Sequence, residues 1–336
     1  MGILYLTTEG SKVRKDGGRI IVTVGSECIN EIPLEQIDAV VVFTGAHLTE
    51  ELIVEFLKRG TSVTFLSSRG QYYGRLESTQ SVDVLRQMRQ ARLTVERGFC
   101  LGISKEFVSA KLHNQITVLR WFFKNRPDIY DNGDLEALKV LYNKIKEACS
   151  VRELMGYEGS AAKIYFSCIS KLCSPEFRFT GRTRQPPKDA FNSMLSYGYT
   201  LLMYEIYTII GKHGLYPYFG FLHRPKRGHP ALASDLMEEW RPVIVDAFVL
   251  HLANKGSFKS IDFETDSSNG GVFLCKEQSK DFLKRYEKRV LTKIKNNEDL
   301  SDSIFNYRLQ IDKQVTLLAK AVDSGDFQIY KSYRIR

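Results

Sequence analysis

The sequence has no pair of cysteines two residues apart: Cys28, Cys100, Cys149, Cys168, Cys173 and Cys275 are scattered singly. Their spacing excludes a zinc knuckle and a redox motif, and the thiols read as reduced core side chains. Nowhere do about 18 uncharged apolar residues run together, which excludes a membrane-spanning helix. The start, Met1-Gly2-Ile3-Leu4-Tyr5, has neither a basic stretch nor a long apolar one, so a cytoplasmic protein without a membrane partner is expected. No low-complexity tract argues for extended disorder, and no repeat of about 20 to 50 residues argues for a solenoid.

What is present points to two domains and an anionic partner. A single core stops growing at roughly 250 to 300 residues, and this chain has 336. Its 43% hydrophobic and 26% charged content is that of an ordinary globular protein. Lys and Arg number 48 against 39 Asp and Glu, a net charge of +9 that favours nucleic acid. A summed charge says nothing about clustering, so local segments must decide.

Up to about Ser78 the pattern is strand-like, with short β-branched or apolar runs at 3–6, 20–24, 39–43 and 61–66 bounded by turn residues. Asp16-Gly17-Gly18 reads as a hairpin turn, and residues 70–76 add a turn and a short strand. One helix interrupts them: Thr49 caps it, Glu50 and Glu51 suit its positive end, Leu52, Phe56 and Leu57 make its apolar stripe, and Gly60 ends it. Beyond about Asp83 helical spacing takes over: one helix carries Leu85, Met88 and Arg92, others cover 105–123 and 135–149, and Phe191, Leu195, Tyr199, Leu202 and Ile206 form a buried stripe. The expected fold class is α+β, with a mainly-β domain over 1–78, a linker over 79–84 and an all-α domain over 85–336.

Three segments carry chemistry. In Gly156-Tyr157-Glu158-Gly159-Ser160-Ala161-Ala162 a carboxylate sits among small neighbours that leave room for a ligand. The plain alternative is a helix start, with Glu158 on the dipole and the small residues packing helix on helix. Gly220 to Pro230 offers His223 and His229 beside Arg224, Lys226 and Arg227, either a phosphate- and ion-binding loop or a solvated basic one. In Ala233-Ser234-Asp235-Leu236-Met237-Glu238-Glu239-Trp240-Arg241-Pro242, Ser234 can cap a helix whose first turns hold three carboxylates, and Pro242 can kink it. Asp235 and Glu238 share a face. Together the segments supply Glu, His and a further carboxylate, an oxygen and nitrogen set that suits Mn²⁺ or Mg²⁺ and the needs of phosphodiester exchange.

Gly156-Tyr157-Glu158-Gly159, the run from Phe179 through Arg182 to Asn192, Gly220-Phe221-Leu222-His223 and residues 232–242 resemble, in order and spacing, the signature blocks of the CRISPR-associated spacer-acquisition (adaptation) integrase and endonuclease family. Val40-Val41-Val42-Phe43-Thr44-Gly45 and Phe65-Leu66-Ser67-Ser68-Arg69-Gly70 are similar to its β domain, so the likeness covers nearly the whole chain. The resemblance implies that Glu158, His223 and Glu238 are the catalytic metal ligands, that Asp235 stands behind them, and that Asn192 and Tyr199 lie on a helix packed beside the site. Read as residues, Asn192 is a helix cap and Tyr199 a core side chain. Glu239, rotated by about 100° from Glu238, is expected to be dispensable.

The implied reaction is attack by the 3′-hydroxyl of a short foreign DNA duplex on a phosphodiester at a repeat boundary, with associated endonuclease activity. Lys226, Arg227 and Arg224 would position the DNA backbone. The implied partners are double-stranded DNA (protospacer and repeat array), a second copy of the chain through the β domain, and a small ferredoxin-like adaptation protein in a heterohexamer. Lys276, Lys280, Lys284, Arg285, Lys288, Arg289, Lys293 and Lys295 accompany Phe282, Tyr286, Val290 and Ile294 on one expected helix, either a duplex-binding face or a solvated one. A tyrosine recombinase is excluded because no H-x-x-R element exists: His223 is followed three residues later by Lys226, and His229 by Leu232. A stand-alone nuclease uses the same site with water as nucleophile. The competing class is a non-catalytic DNA-binding scaffold, which binds DNA without divalent ions.

Overall fold

The computed structural model describes residues 2–129, 132–294 and 305–336, so Lys295 of the basic stripe lies outside the described residues. The chain divides into the units Met1–Val82 and Asp83–Arg336.

The first unit contains β1 (Ile3–Leu6), β2 (Ser11–Asp16), β3 (Arg19–Val24), β4 (Glu27–Pro33), β5 (Ala39–Phe43), β6 (His47–Leu48), α1 (Glu50–Arg59), β7 (Ser62–Leu66) and β8 (Tyr72–Leu76). They form two four-stranded sheets, ordered β1-β5-β7-β8 and β4-β3-β2-β6. Because β5 and β7 pair in parallel, the chain between them must cross over, and α1 lies in that connection. The Thr49 hydroxyl accepts from the Leu52 amide at its start, and Gly60 ends it at φ 73°. Leu4, Leu6, Val13, Ile20, Val40, Leu52, Phe56 and Val63 make the core.

β2 and β4 escape the period-2 reading. β2 buries one hydrophobic residue, Val13, among charged neighbours, and β4 is exposed along most of its length. The hairpin places β2 instead: Asp16 pairs with Arg19 across Gly17-Gly18, where Gly17 takes φ 55°. Exposed β4 carries Cys28, and Cys149 is exposed too, so these two of the six free thiols are not core side chains.

The second unit contains α2 (Val84–Leu93), α3 (Arg97–Phe123), α4 (Asn132–Glu147), α5 (Val151–Leu172), α6 (Ala190–Lys212), α7 (Ala231–Trp240), α8 (Ala247–Asn254), α9 (Lys276–Val290) and α10 (Tyr307–Ser324). α3 is the pillar: α4, α5 and α7 all pack on it, and even Lys111, Asn114 and Gln115 are buried along it. A helix buried on most sides shows little amphipathic period; the sequence reading caught 105–123 but not the first turns, which contain Gly98 and Gly102.

Three expectations are corrected here. The domain is not all helix, since β9 (Phe263–Asp266) and β10 (Gly271–Leu274) form an antiparallel hairpin. α7 begins at Ala231, so Ser234 is not its cap; its hydroxyl lies 3.1 Å from His229 Nε2. α9 stops at Val290, leaving Lys293 and Ile294 beyond it. Pro242 lies in a π-helical turn, Arg241–Asp246, that joins α7 to α8; proline removes an amide from the ladder, and the wider turn absorbs the loss. Among the described residues no helix is long and apolar enough to cross a membrane.

Candidate active site

The site is assembled from α3, α5, α7 and the loop before α7. Glu158 lies mid-way along α5, not at its start, which Ser150 caps by accepting from the Glu153 amide. A Cβ built on Gly156 or Gly159 would meet nothing within 4 Å, so these glycines do not serve helix–helix packing. They leave open space beside the carboxylate.

Asp235, fully buried on α7, folds the preceding loop onto itself. Its Oδ2 accepts from the Phe221 and Leu222 amides at 2.6 and 3.0 Å, and its Oδ1 from the His223 amide at 2.9 Å. Its short side chain thus caps this loop and not the start of its own helix. Gly220 is required here: a Cβ would stand 2.8 Å from Asp235 Oδ2 and 2.8 Å from Ala231 Cβ. Oδ1 also lies 2.7 Å from His223 Nδ1. A carboxylate beside Nδ1 fixes the proton there and leaves Nε2 as the ligating nitrogen, as in many carboxylate–histidine–metal sets. Nε2 lies 3.9 Å from Glu238 Oε1.

Glu238 is almost wholly buried between two cations. Arg241 Nη1 donates to Oε1 at 2.7 Å, and Lys111 Nζ lies 2.6 Å from Oε2 while also contacting Glu158. The Lys111 contact on Oε2 is close but off the favoured hydrogen-bond direction, and Oε2 makes no other hydrogen bond among the described residues. Burial opposes ionisation of Glu238, but Arg241, Lys111 and His223 outweigh it and hold the carboxyl at about 2. Burial likewise opposes charge on His223, yet the hydrogen bond and charge of Asp235, with the charge of Glu238, raise its pKa above the usual histidine value.

A cavity of about 370 Å³ opens beside these groups, lined by Lys111, Glu158, Tyr199, His229, Arg241 and Asp246 among others. The Tyr199 ring has the Arg182 and Arg241 guanidiniums each 5.3 Å from its centroid, and its hydroxyl donates to Asp246. Burial pushes the Asp246 carboxyl up to about 6, tempered by tyrosine hydrogen bonds. Tyr199, read as a core residue, is thus a wall of the cavity. Asn192 sits elsewhere: it donates to Gly181 O and Asp189, accepts from Arg182 at 2.8 Å, and has no described hydrogen bond to Glu158, His223 or Glu238. It holds the loop that carries Arg182.

The side chains fit a divalent ion in their chemistry: two carboxylates, one imidazole nitrogen aimed at them, and a buried oxygen without a hydrogen bond. As they stand, no three acidic, His or Cys side chains among the described residues meet at ion-binding distance. The Lys111 ammonium contacts both Glu158 and Glu238.

The sequence matches the family model described as CRISPR associated protein Cas1 over residues 4–288. The chain belongs to the Cas1 family. It is 34% identical to a CRISPR-associated endonuclease Cas1 of Mycobacterium tuberculosis, over 96% of this chain and 94% of that one. Among solved structures it resembles a chain of a Cas6-RT-Cas1–Cas2 complex, with TM-score 0.85 and 25% identity over 100% of this chain and 36% of that longer one. A casposase bound to integration product is similar over 100% of this chain and 96% of its own, with TM-score 0.83 and 25% identity.

Two residues of this Cas1-family site were missed by sequence reasoning. Lys111 and Arg241 make the charge balance around Glu238, and the signal for Lys111 was available: a lone cation inside the apolar run Phe107-Val108-Ser109-Ala110-Lys111-Leu112. Glu239, expected to be dispensable for the chemistry, has a structural place. It is fully buried, accepting from Tyr330 Oη at 2.6 Å and the Tyr333 amide at 2.7 Å, so it straps the C-terminal segment to α7. Burial pushes its carboxyl up to about 8. Arg224, Lys226 and Arg227 are exposed on the loop after His223, and Lys284 and Lys288 are exposed on α9. Arg289 of the same stripe turns inward, donating to Val243 O and lying 5.1 Å from the Tyr307 ring centroid.

Proposed function

We propose that this chain joins DNA strands during CRISPR spacer acquisition, with the 3′-hydroxyl of a short duplex attacking a phosphodiester at a repeat boundary and with endonuclease activity at the same site. Glu158, on the cavity wall, shares the Lys111 ammonium with Glu238, and His223 Nε2 lies 3.9 Å from Glu238 with Asp235 at its Nδ1; this linkage of the three side chains carries the reading. Family membership and the likeness to a casposase bound to integration product support it.

Glu158, His223 and Glu238 would hold Mg²⁺ or Mn²⁺. When bound, the ion supplies positive charge that polarises the phosphodiester and favours ionisation of the attacking hydroxyl. The chain's residues do the rest. Asp235 keeps the His223 proton on Nδ1, Arg241 and Lys111 keep Glu238 ionised despite burial, and Asp246 holds the Tyr199 ring on the cavity wall. Arg224, Lys226 and Arg227 can meet the backbone of duplex DNA without base readout, and Lys284 and Lys288 offer a second basic face.

The assembly we propose pairs two copies of the chain through the β domain and places such pairs around a small ferredoxin-like adaptation protein in a heterohexamer. The similar chain in a Cas6-RT-Cas1–Cas2 complex supports a protein partner.

The test is incubation of a labelled short duplex with a supercoiled plasmid carrying a repeat array, the partner protein, and Mn²⁺ or Mg²⁺. Joined product that disappears with EDTA and in Glu158→Ala and His223→Ala, with DNA affinity kept within a few-fold, is expected. DNA binding that ignores both the ion and the Glu158 carboxylate, with no joining, would establish the scaffold instead.

A further inference from the structure

Lys111 is an unusual lysine. Its side chain is 7% exposed, on the long central helix α3, and its ammonium touches two carboxylates from two other helices. We propose that this ammonium is a built-in counter-cation that a divalent ion must displace from between Glu158 and Glu238. The inference rests on the reading of these residues as a metal centre.

Charge balance makes the first argument. Glu158 and Glu238 are offset by Lys111 and Arg241, four charges that balance one another. A divalent ion added beside the same carboxylates brings further positive charge next to the ammonium at a largely buried place, which is costly in low dielectric. Moving the ammonium away relieves that repulsion.

Geometry says which cation moves. Arg241 donates a directed hydrogen bond to Glu238 Oε1 at 2.7 Å, and its guanidinium lies against the Tyr199 ring. Lys111 Nζ lies 2.6 Å from Glu238 Oε2 but off the favoured hydrogen-bond direction, so its hold is the less directed of the two. A lysine ammonium is a point charge on a flexible stem, whereas the guanidinium is a rigid fork. Lys111 and Glu158 both line the cavity, so an ion arriving there meets Glu158 directly and the displaced ammonium has space to move into. Without the lysine, Glu158 and Glu238 would lose the charge that offsets their repulsion when no ion is bound.

The test compares Mn²⁺ affinity by calorimetry and melting temperature in EDTA for wild type, Lys111→Met, Lys111→Arg and Glu158→Gln. Lys111→Met should melt lower in EDTA, bind Mn²⁺ at least about tenfold more tightly, and gain more from Mn²⁺ than wild type does. Lys111→Arg keeps the charge and can grip carboxylates bidentately, so it should bind Mn²⁺ more weakly. Unchanged or weaker Mn²⁺ binding in a folded Lys111→Met overturns the inference, and so does unchanged affinity in Lys111→Arg if the Met variant does not fold. If Glu158→Gln leaves wild-type Mn²⁺ binding intact, the metal-centre reading fails and the inference with it. Binding lost in Glu158→Gln yet unmoved in both Lys111 variants removes the inference alone.

Discussion

The helical unit contains two buried ion clusters that look alike in composition and differ in completeness. In one, Arg308 Nε donates to Glu205 Oε1 at 2.5 Å, its Nη2 donates to Glu287 at 2.7 Å, and Tyr286 Oη donates to the other Glu205 oxygen at 3.2 Å. That cluster ties α6, α9 and α10 together with its carboxylates satisfied. In the other, Lys111, Glu158 and Arg241 border a cavity, with Glu238 buried behind them, and both Glu238 Oε2 and Arg241 Nε lack a directed hydrogen bond among the described residues. Buried polar groups normally make directed hydrogen bonds because an unmade one costs about 1–3 kcal/mol. The first cluster is closed on itself, whereas the second keeps open space beside Glu158 and Arg241.

The comparison can be broken most sharply by exchanging the roles. Glu238→Gln should remove Mn²⁺-dependent joining altogether while duplex affinity at fixed salt stays within a few-fold; normal joining would place the ligand elsewhere on α7. Arg308→Met should do the reverse, costing about 3–5 kcal/mol of stability because it strands the buried Glu205 carboxylate and leaves the partly exposed Glu287 without its partner. Denaturant unfolding should register that loss, with Mn²⁺ affinity of the folded protein unchanged.

Asp235→Asn should reduce metal affinity by roughly 10–100-fold. It should also move a pH midpoint. A ligating imidazole must be neutral, so wild-type Mn²⁺ affinity rises with pH through the raised pKa of His223. Removing the Asp235 charge lowers that pKa and shifts the rise to lower pH; an unshifted midpoint would detach Asp235 from His223. In the metal-free fold the same pairing gives stability that is complete below the ordinary histidine value and lost as pH rises through the raised one.

Glu239→Ala should cost about 1–3 kcal/mol by stranding the Tyr330 hydroxyl and Tyr333 amide, with joining per folded molecule preserved. Because the folded carboxyl is raised from 4.5 to about 8, stability falls as pH rises across that interval. Glu239→Gln, permanently neutral, should flatten that slope in melting temperature against pH. The smallest effect belongs to the surface: Lys226 and Arg227 changed together to Ala should lower the salt slope of duplex binding by roughly 2 and leave Mn²⁺ affinity alone. A salt-independent loss would remove their phosphate-contact assignment.

Glu158, His223 and Glu238 were legible because three separated segments each carried an unusual local chemistry and stood in a familiar order. Thr49 and Gly60 were legible because caps act within one turn. Strand β2 was not, because its place comes from pairing with β3 and not from its own alternation. Glu239 was misjudged for the same kind of reason: its partners, Tyr330 and Tyr333, lie some ninety residues away, and no window along the chain brings them together.

The amino-acid sequence by itself determined the two-part α+β organisation, the bounds of α1 to within a residue and the apolar stripe of α6, and it nominated Glu158, His223 and Glu238 as the proposed ligands. Those depend on periodicity, capping and motif order, which act locally or survive as pattern. Only the tertiary structure decided that Asp235 caps the loop holding His223, that Asn192 serves a different loop, and that Lys111 and Arg241 balance the charge on Glu238. Hydrogen-bond direction and burial depend on which helices meet, and α3, α5 and α7 meet only in the folded core.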